Sequence, residues 1–257
     1  MSIAVRGLTI AALVLGLLLA GGTADASHAW STYHWGRTTP TFTLALGNNT
    51  TTAAWSAHLS TTATAWSAST VLDTVVAAGG SSGNCRPTAG RVEVCNKKYG
   101  KNGWLGLAQI WLSGGHIVQG VAKMNDTYFS LPKYDNPNEK QHVMCQEVGH
   151  TLGLSHTSED GSSQDTCMDY FSNTGANAGS TLSTAPNQHD YDQLALIYAH
   201  LDTTNTVGSA TAARGLGAGH GADGDGTPAG ASKAKGRWYV EPLGGGRYLI
   251  THITWAD

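Results

Sequence analysis

The eleven residues from Gln146 to His156, read as Q-E-V-G-H-T-L-G-L-S-H, constrain this chain more than any other stretch. Side chains four apart share one face of a helix, so Gln146 and His150 can be presented to a single ion. Glu147, one step round, reaches a water on that ion without ligating it. Gly153 permits a sharp turn, which swings His156 back as a third ligand. A zinc ion held this way lowers the pKa of its water from about 16 to about 7, while a carboxylate takes and returns the proton. The expected metal ligands are therefore Gln146, His150 and His156, with Glu147 as general base. Gln146 is the weak member, because an amide oxygen is a neutral, hard donor where zinc favours imidazole nitrogen. His142 lies eight residues before His150, about 12 Å along a helix, too far to share the ion. It reads as a surface residue or as one supporting a ligand.

The rest of the sequence says where such a site would work. Arg6, the apolar run Leu8 to Ala20 and the small-x-small triplet Ala24-Asp25-Ala26 form a secretion signal, with cleavage expected after Ala26. The competing reading, a short membrane anchor, is disfavoured by the polar residues from Thr23 onward. About 230 residues remain, enough for one domain with a core and an appendage. The net charge is −3, only 13% of residues are charged and no basic cluster occurs, so nucleic-acid binding has no support. Four cysteines in an exported chain suggest two disulfides. Three pairings are open. The favoured one joins Cys85 to Cys95 around Arg86-Pro87, and Cys145 to Cys167 across the metal-site helix. The alternative for Cys145 is a free thiol.

Periodicity sketches the elements. Thr41 to Leu46, Val71 to Ala77 and Arg91 to Asn96 read as strands, and Leu105 to Leu112 and Ile117 to Met124 as the clearest strands, parted by the turn Ser113-Gly114-Gly115. Ala54 to Ser69 reads as a helix with Trp55, Leu59, Thr62 and Trp66 on one stripe. Asp135 or Asn136 caps the metal-site helix, Pro137 suits its first turn and Gly153 its end. A last helix is expected from His189 to His200, whose terminal histidines look structural; His116 reads as an ordinary surface histidine. Residues 203–236 have linker composition, and within them Asp223 and Asp225 match only part of a calcium loop. Arg237 to Val240 and Arg247 to Trp255, around Gly244-Gly245-Gly246, read as a small C-terminal hairpin occupying 237–257. It is either docked on the main domain or an accessory.

The Gln146–His156 pattern is one residue short of H-E-x-x-H-x-x-G-x-x-H, and Cys167-Met168-Asp169-Tyr170 resembles the Met-turn that goes with it. Together these residues resemble the metzincin zinc proteases, of matrixin and astacin type, over about Thr41 to Leu201. The chain is also similar to secreted bacterial proteins carrying the same Gln form. The resemblance implies an α+β fold with a twisted, mostly parallel or mixed sheet, an active-site helix and a C-terminal helix, in a domain spanning 27–202. It implies an endopeptidase with one zinc and a protein or peptide substrate held along the edge strand of the pair ending at Asn125; with the signal segment it is expected to be secreted, and the chain is expected to be a monomer. Met168 would form the base of the site, and Tyr170 would be an auxiliary ligand or a transition-state stabiliser. The alternative is a catalytically inactive secreted binding protein of the same fold. Glu159, Asp160 and Asp165 give weak support for calcium; a solvated loop is the simpler reading. Asn48, Asn49 and Asn125 head glycosylation sequons.

Overall fold

Leu44 and Leu46 turn inward from β2 (Phe42–Asn49), the first long strand of an eight-stranded sheet. The computed structural model describes residues 28–81, 84–209 and 225–257. The signal-like segment 1–26, Asp223 and the centre of the Gly/Ala-rich stretch lie outside these residues. The chain adds a two-residue strand β1 (His34–Trp35), then β2, helix α1 (Ala53–Trp66), β3 (Leu72–Ala78) and β4 (Val92–Lys97). There follow β5 (Trp104–Ser113), β6 (His116–Asn125), a short α2 (Asp126–Phe129), the long α3 (Pro137–Thr151), α4 (Gln188–Ile197), β7 (Trp238–Gly244) and β8 (Arg247–Trp255). The sheet order is β3-β2-β4-β6-β5-β8-β7, with β1 beside the start of β6. β1, β2, β3, β4 and β6 pair in parallel, whereas β5, β8 and β7 run antiparallel to their neighbours.

α1 follows its period closely. Thr52 caps it by accepting from the Trp55 amide, and Trp55, Leu59, Thr62, Ala63 and Trp66 form its buried stripe. The core lies between this helix, α3 and one face of the sheet, and takes in Leu44, Leu46, Val92, Ile110, Val148 and Met168. α3 is capped by Asn136, which accepts from the Glu139 amide, and has Pro137 in its first turn. It differs from an amphipathic surface helix in being buried from Gln141 to Thr151, polar residues included. Each of those polar groups therefore needs a partner inside the protein. Disulfides join Cys85 to Cys95 and Cys145 to Cys167, and no free cysteine remains. Among the described residues no helix is long and apolar enough to cross a membrane.

Of the two readings of the C-terminal hairpin, docked or accessory, the structure shows the docked one. The hairpin is no appendage: β8 pairs with β5 along its whole length, with His252 opposite Ala108 and Thr254 opposite Gly106. The strand pair expected to hold substrate along an edge has none free: β6 lies between β4 and β5, β5 lies between β6 and β8, and β7 forms the outer edge. The physical reason lies in β5 itself, which is buried from Trp104 to Leu112; an apolar strand of that length left open is an aggregation edge. The described flanks of the expected linker are docked as well. Thr206 bonds to the Gly36 amide and the Ile117 carbonyl, and Thr227 accepts from Trp104 Nε1. α4 stops at Ile197, so His200 lies beyond the helix.

Candidate metal centre

α3 delivers Gln146, Glu147 and His150, and Gly153 then turns the chain in the left-handed region at φ 102°. A side chain there would be strained and would run into the Tyr33 carbonyl. The turn brings His156 back, so that its ring centroid lies 4.9 Å from that of His150. The third member is His252 of β8, 3.9 Å from His150 and 4.7 Å from His156 between centroids. One ring nitrogen of each of the three histidines lies within 4.8 Å of the others.

The hydrogen bonds decide which nitrogens these are. His150 Nδ1 lies 2.9 Å from the Leu154 carbonyl, which can only accept, so Nδ1 carries the hydrogen. His156 Nδ1 faces Glu159 Oε1 at 3.1 Å, and His252 Nδ1 faces Glu147 Oε2 at a longer 3.4 Å. The Nε2 atoms of all three rings are buried and find no hydrogen-bond partner among the described residues. Three lone pairs gathered away from water, with no donor to meet them, suit a divalent cation bound through imidazole, each ring oriented by its second nitrogen. Burial drives the same way, lowering the pKa of His150 and His252 well below the usual histidine value, with neighbouring rings adding to the effect. Burial also lowers His156, against the opposing pull of Glu159. The rings are therefore held neutral, the form that ligates. Trp238 covers the cluster at 4.3 Å from His252 and 5.0 Å from His150.

Gln146 does not join this group. Its Nε2 donates to the Asp169 carbonyl at 2.6 Å and the Cys167 carbonyl at 3.1 Å, which fixes the amide and turns Oε1 toward Thr254 Oγ1 at 2.8 Å. His252 stands in the cluster where the sequence suggested Gln146. The only signal for it was a polar residue on the inward face of β8, between Ile250 and Thr254 in strand alternation, and that signal is faint.

Glu147 is fully buried beside the cluster. The close pass of β5 makes this possible, since a Cβ at Gly106 would overlap the Glu147 carboxylate. Thr254 Oγ1 lies 2.5 Å from Glu147 Oε1 as well as 2.8 Å from Gln146 Oε1. One hydroxyl proton serves one acceptor; a carboxyl that keeps its own proton serves the other. Burial accordingly raises the Glu147 pKa well above the carboxylate range, with the Thr254 hydrogen bond opposing it.

Met168 is buried in the core, and its carbonyl accepts from the Thr157 amide at 2.8 Å. Tyr170 lies with its ring 5.3 Å from His156, its hydroxyl accepting from the Trp255 amide at 2.9 Å and Arg237 over its face at 3.6 Å. His142 is buried, not on the surface, with Nδ1 at 3.1 Å from Asn173 Oδ1 and Nε2 at 3.3 Å from the Asp169 carbonyl. Of the carboxylates considered for calcium, Glu159 pairs with His156 and Arg237, and Asp160 Oδ1 accepts from Ser158 and Ser162. A small pocket opens beside Gln146, lined also by Leu105, Val143, Tyr170, Phe171 and Trp255 among others.

No protein-family model matches the chain, and no curated protein matches it. Among solved structures it is similar to high choriolytic enzyme 1, a hatching enzyme zinc-protease from Oryzias latipes (Medaka fish). The sequences are 11% identical, the match covers 65% of this chain and 94% of the other, and the TM-score is 0.37. The chemistry of the site accordingly rests on its own side chains.

Proposed function

We propose that the chain is a secreted zinc-dependent endopeptidase of metzincin type, and that the described conformation is its closed form, with the C-terminal hairpin seated in the substrate groove. The observation that carries the reading is the set of three partnerless Nε2 atoms, on His150, His156 and His252, gathered beside the buried carboxyl of Glu147. Zinc bound there supplies Lewis acidity toward a carbonyl oxygen and lowers the pKa of water. The chain's own contribution is Glu147, which takes a proton from the attacking water and returns it to the leaving amine. Two disulfides suit an oxidising, extracellular location.

β8 takes the antiparallel place along β5 that an extended peptide would occupy. It also sits on each group the reaction needs: His252 on the histidine pair, Thr254 on Glu147 and Gln146, and the Trp255 amide on the Tyr170 hydroxyl. A substrate that displaces β8 releases all of them at once. Gln146 Oε1 then becomes free as a donor beside His150 and His156, with Tyr170 as auxiliary ligand and Met168 as the floor. On this reading the ligand set suggested by the sequence belongs to the open form, and the three-histidine set to the closed one.

The test is hydrolysis of an unfolded protein by the full chain and by Glu147→Ala. The expected result is zinc-dependent cleavage that drops by about 10²–10⁴-fold in the variant; equal behaviour of the two removes the reading. The full burial of Glu147 and the occupied edge of β5 favour a second reading, an inactive secreted binding protein with the same metal centre. Ile250→Ala separates them by loosening the seat of β8. Cleavage rises in the first case and stays absent in the second.

A further inference from the structure

Another histidine cluster lies apart from the first, where β1, the start of β6 and the segment after α4 meet. His34 Nε2 is 3.2 Å from Asp202 Oδ1, His200 Nε2 is 3.5 Å from the same oxygen, and the two ring nitrogens are 3.3 Å apart. Two atoms that each ligate a tetrahedral zinc at about 2.0–2.1 Å stand about 3.3 Å from one another. The triangle thus has the dimensions of one face of a zinc polyhedron. The rings of His34 and His200 cross at 82°, so neither blocks the other's approach.

Proton bookkeeping leads to the same place. His34 Nδ1 is 2.7 Å from the Thr32 carbonyl, which only accepts, so Nδ1 carries the hydrogen and Nε2 presents a bare lone pair. That lone pair faces Asp202 Oδ1, acceptor against acceptor. A second proton on His34 would relieve the contacts His34 itself makes. A cation within reach of all three atoms relieves that contact and takes the His200 Nε2 lone pair as well. The carboxylate is prepared for one: the Arg37 amide donates to Oδ2 at 2.8 Å, and His116 Nε2 lies 3.0 Å from Oδ1.

We propose that His34, His200 and Asp202 form a second zinc site, with His116 as the positioning residue that holds the Asp202 carboxylate. His200 is 57% exposed, so water completes the coordination from the solvent side. The ion ties β1 to the segment after α4, elements 166 residues apart in sequence. The site stands independently of the proposed peptidase, and it changes the expected metal content from one zinc to two.

The experiment loads the full chain with excess Zn²⁺, removes unbound metal and counts zinc per chain by mass spectrometry, for wild type and for His200→Ala. The exposed position of His200 makes its loss tolerable to the fold. Wild type is expected to hold one zinc more than the variant: two against one if the first centre also binds, one against none if it does not. Equal zinc content overturns the site. Nitrogen NMR of the imidazoles in wild type gives an independent reading, since Zn²⁺ should move the Nε2 signals of His34 and His200; unmoved signals overturn it too. His116→Ala should weaken zinc at this site by about 10–100-fold without changing the stoichiometry at saturation. Unchanged affinity would remove His116 from its positioning role.

Discussion

Replacing His252 by Ala, set beside replacing Gln146 by Ala, asks which side chain completes the metal centre in the closed form. His252 contributes a buried Nε2 with no other partner, whereas both ends of the Gln146 amide are already taken by Asp169, Cys167 and Thr254. Removing a group that merely supports a ligand costs about 10–100-fold in metal affinity, so losing a ligand should cost at least about 100-fold. That is about 2.7 kcal/mol or more. Gln146→Ala strands two backbone carbonyls and a hydroxyl, and should cost about 1–3 kcal/mol of folding stability while leaving zinc affinity essentially unchanged. The assay is zinc dissociation by competition with a chromogenic chelator, with the melting temperature of each metal-free variant measured alongside so that loss of fold is not read as loss of a ligand. If Gln146→Ala weakens zinc as much as His252→Ala, the reasoning from partnerless nitrogens is refuted.

Other consequences are narrower. Lowered histidine pKa values at His58, His150, His156 and His252 mean that below about pH 6.5 the unfolded chain takes up protons that the folded chain does not. Their stabilisation is full above that pH and is lost as it falls. The raised Glu139 and Glu147 act oppositely, stabilising fully below about pH 4.5 and less as pH rises. The two sets oppose one another between pH 5.5 and 7.5, and Glu147→Gln removes one of the opposing carboxyls, so the melting temperature of metal-free protein at pH 7.5 minus that at pH 5.5 should be more positive in the variant than in wild type; an equal or smaller difference contradicts this. Serine at both Cys145 and Cys167 opens a loop with a sequence separation of 22 and should cost about 3 kcal/mol in denaturant titration. An unchanged midpoint would mean that the bond constrains nothing. Gly106→Ala places a methyl group where the Glu147 carboxylate lies, and should destabilise the chain by about 1–3 kcal/mol. A neutral result would show that β5 and α3 can separate freely.

The elements were largely legible because their signals are local. The α1 stripe, the Asn136 cap with Pro137, and the strands either side of Ser113-Gly114-Gly115 fall within a residue or two of their expected places. Within the site, Glu147, His150, Gly153 and His156 could be placed because a single helix and the turn after it bring them together. His252 could not be placed that way. It reaches His150 only through the pairing of β8 with β5, and strand pairing across 140 residues leaves no periodic trace. The same blindness hid the meeting of His34, His116 and His200: His116 reads as a surface histidine and His200 as a structural one at a helix end until β1, β6 and the segment after α4 come together at Asp202.

α3 suggests a physical reason for the position of the hairpin. A helix buried from Gln141 to Thr151, with Gln146, Glu147 and His150 among its residues, cannot rest against hydrocarbon alone. The inward face of β8 meets the first two, with Thr254 Oγ1 against the Gln146 amide and the Glu147 carboxyl, and brings His252 up to His150, where a shared cation would serve both rings. An apolar strand there would leave those groups unsatisfied at several kcal/mol each, so the hairpin's sequence is matched to the site as well as to the β5 edge. That match implies that metal and hairpin stabilise one another. Zinc should slow the exchange of the β8 amide hydrogens, and chelation should speed it. Indifference of those amides to chelator would mean that β8 is held by sheet pairing alone.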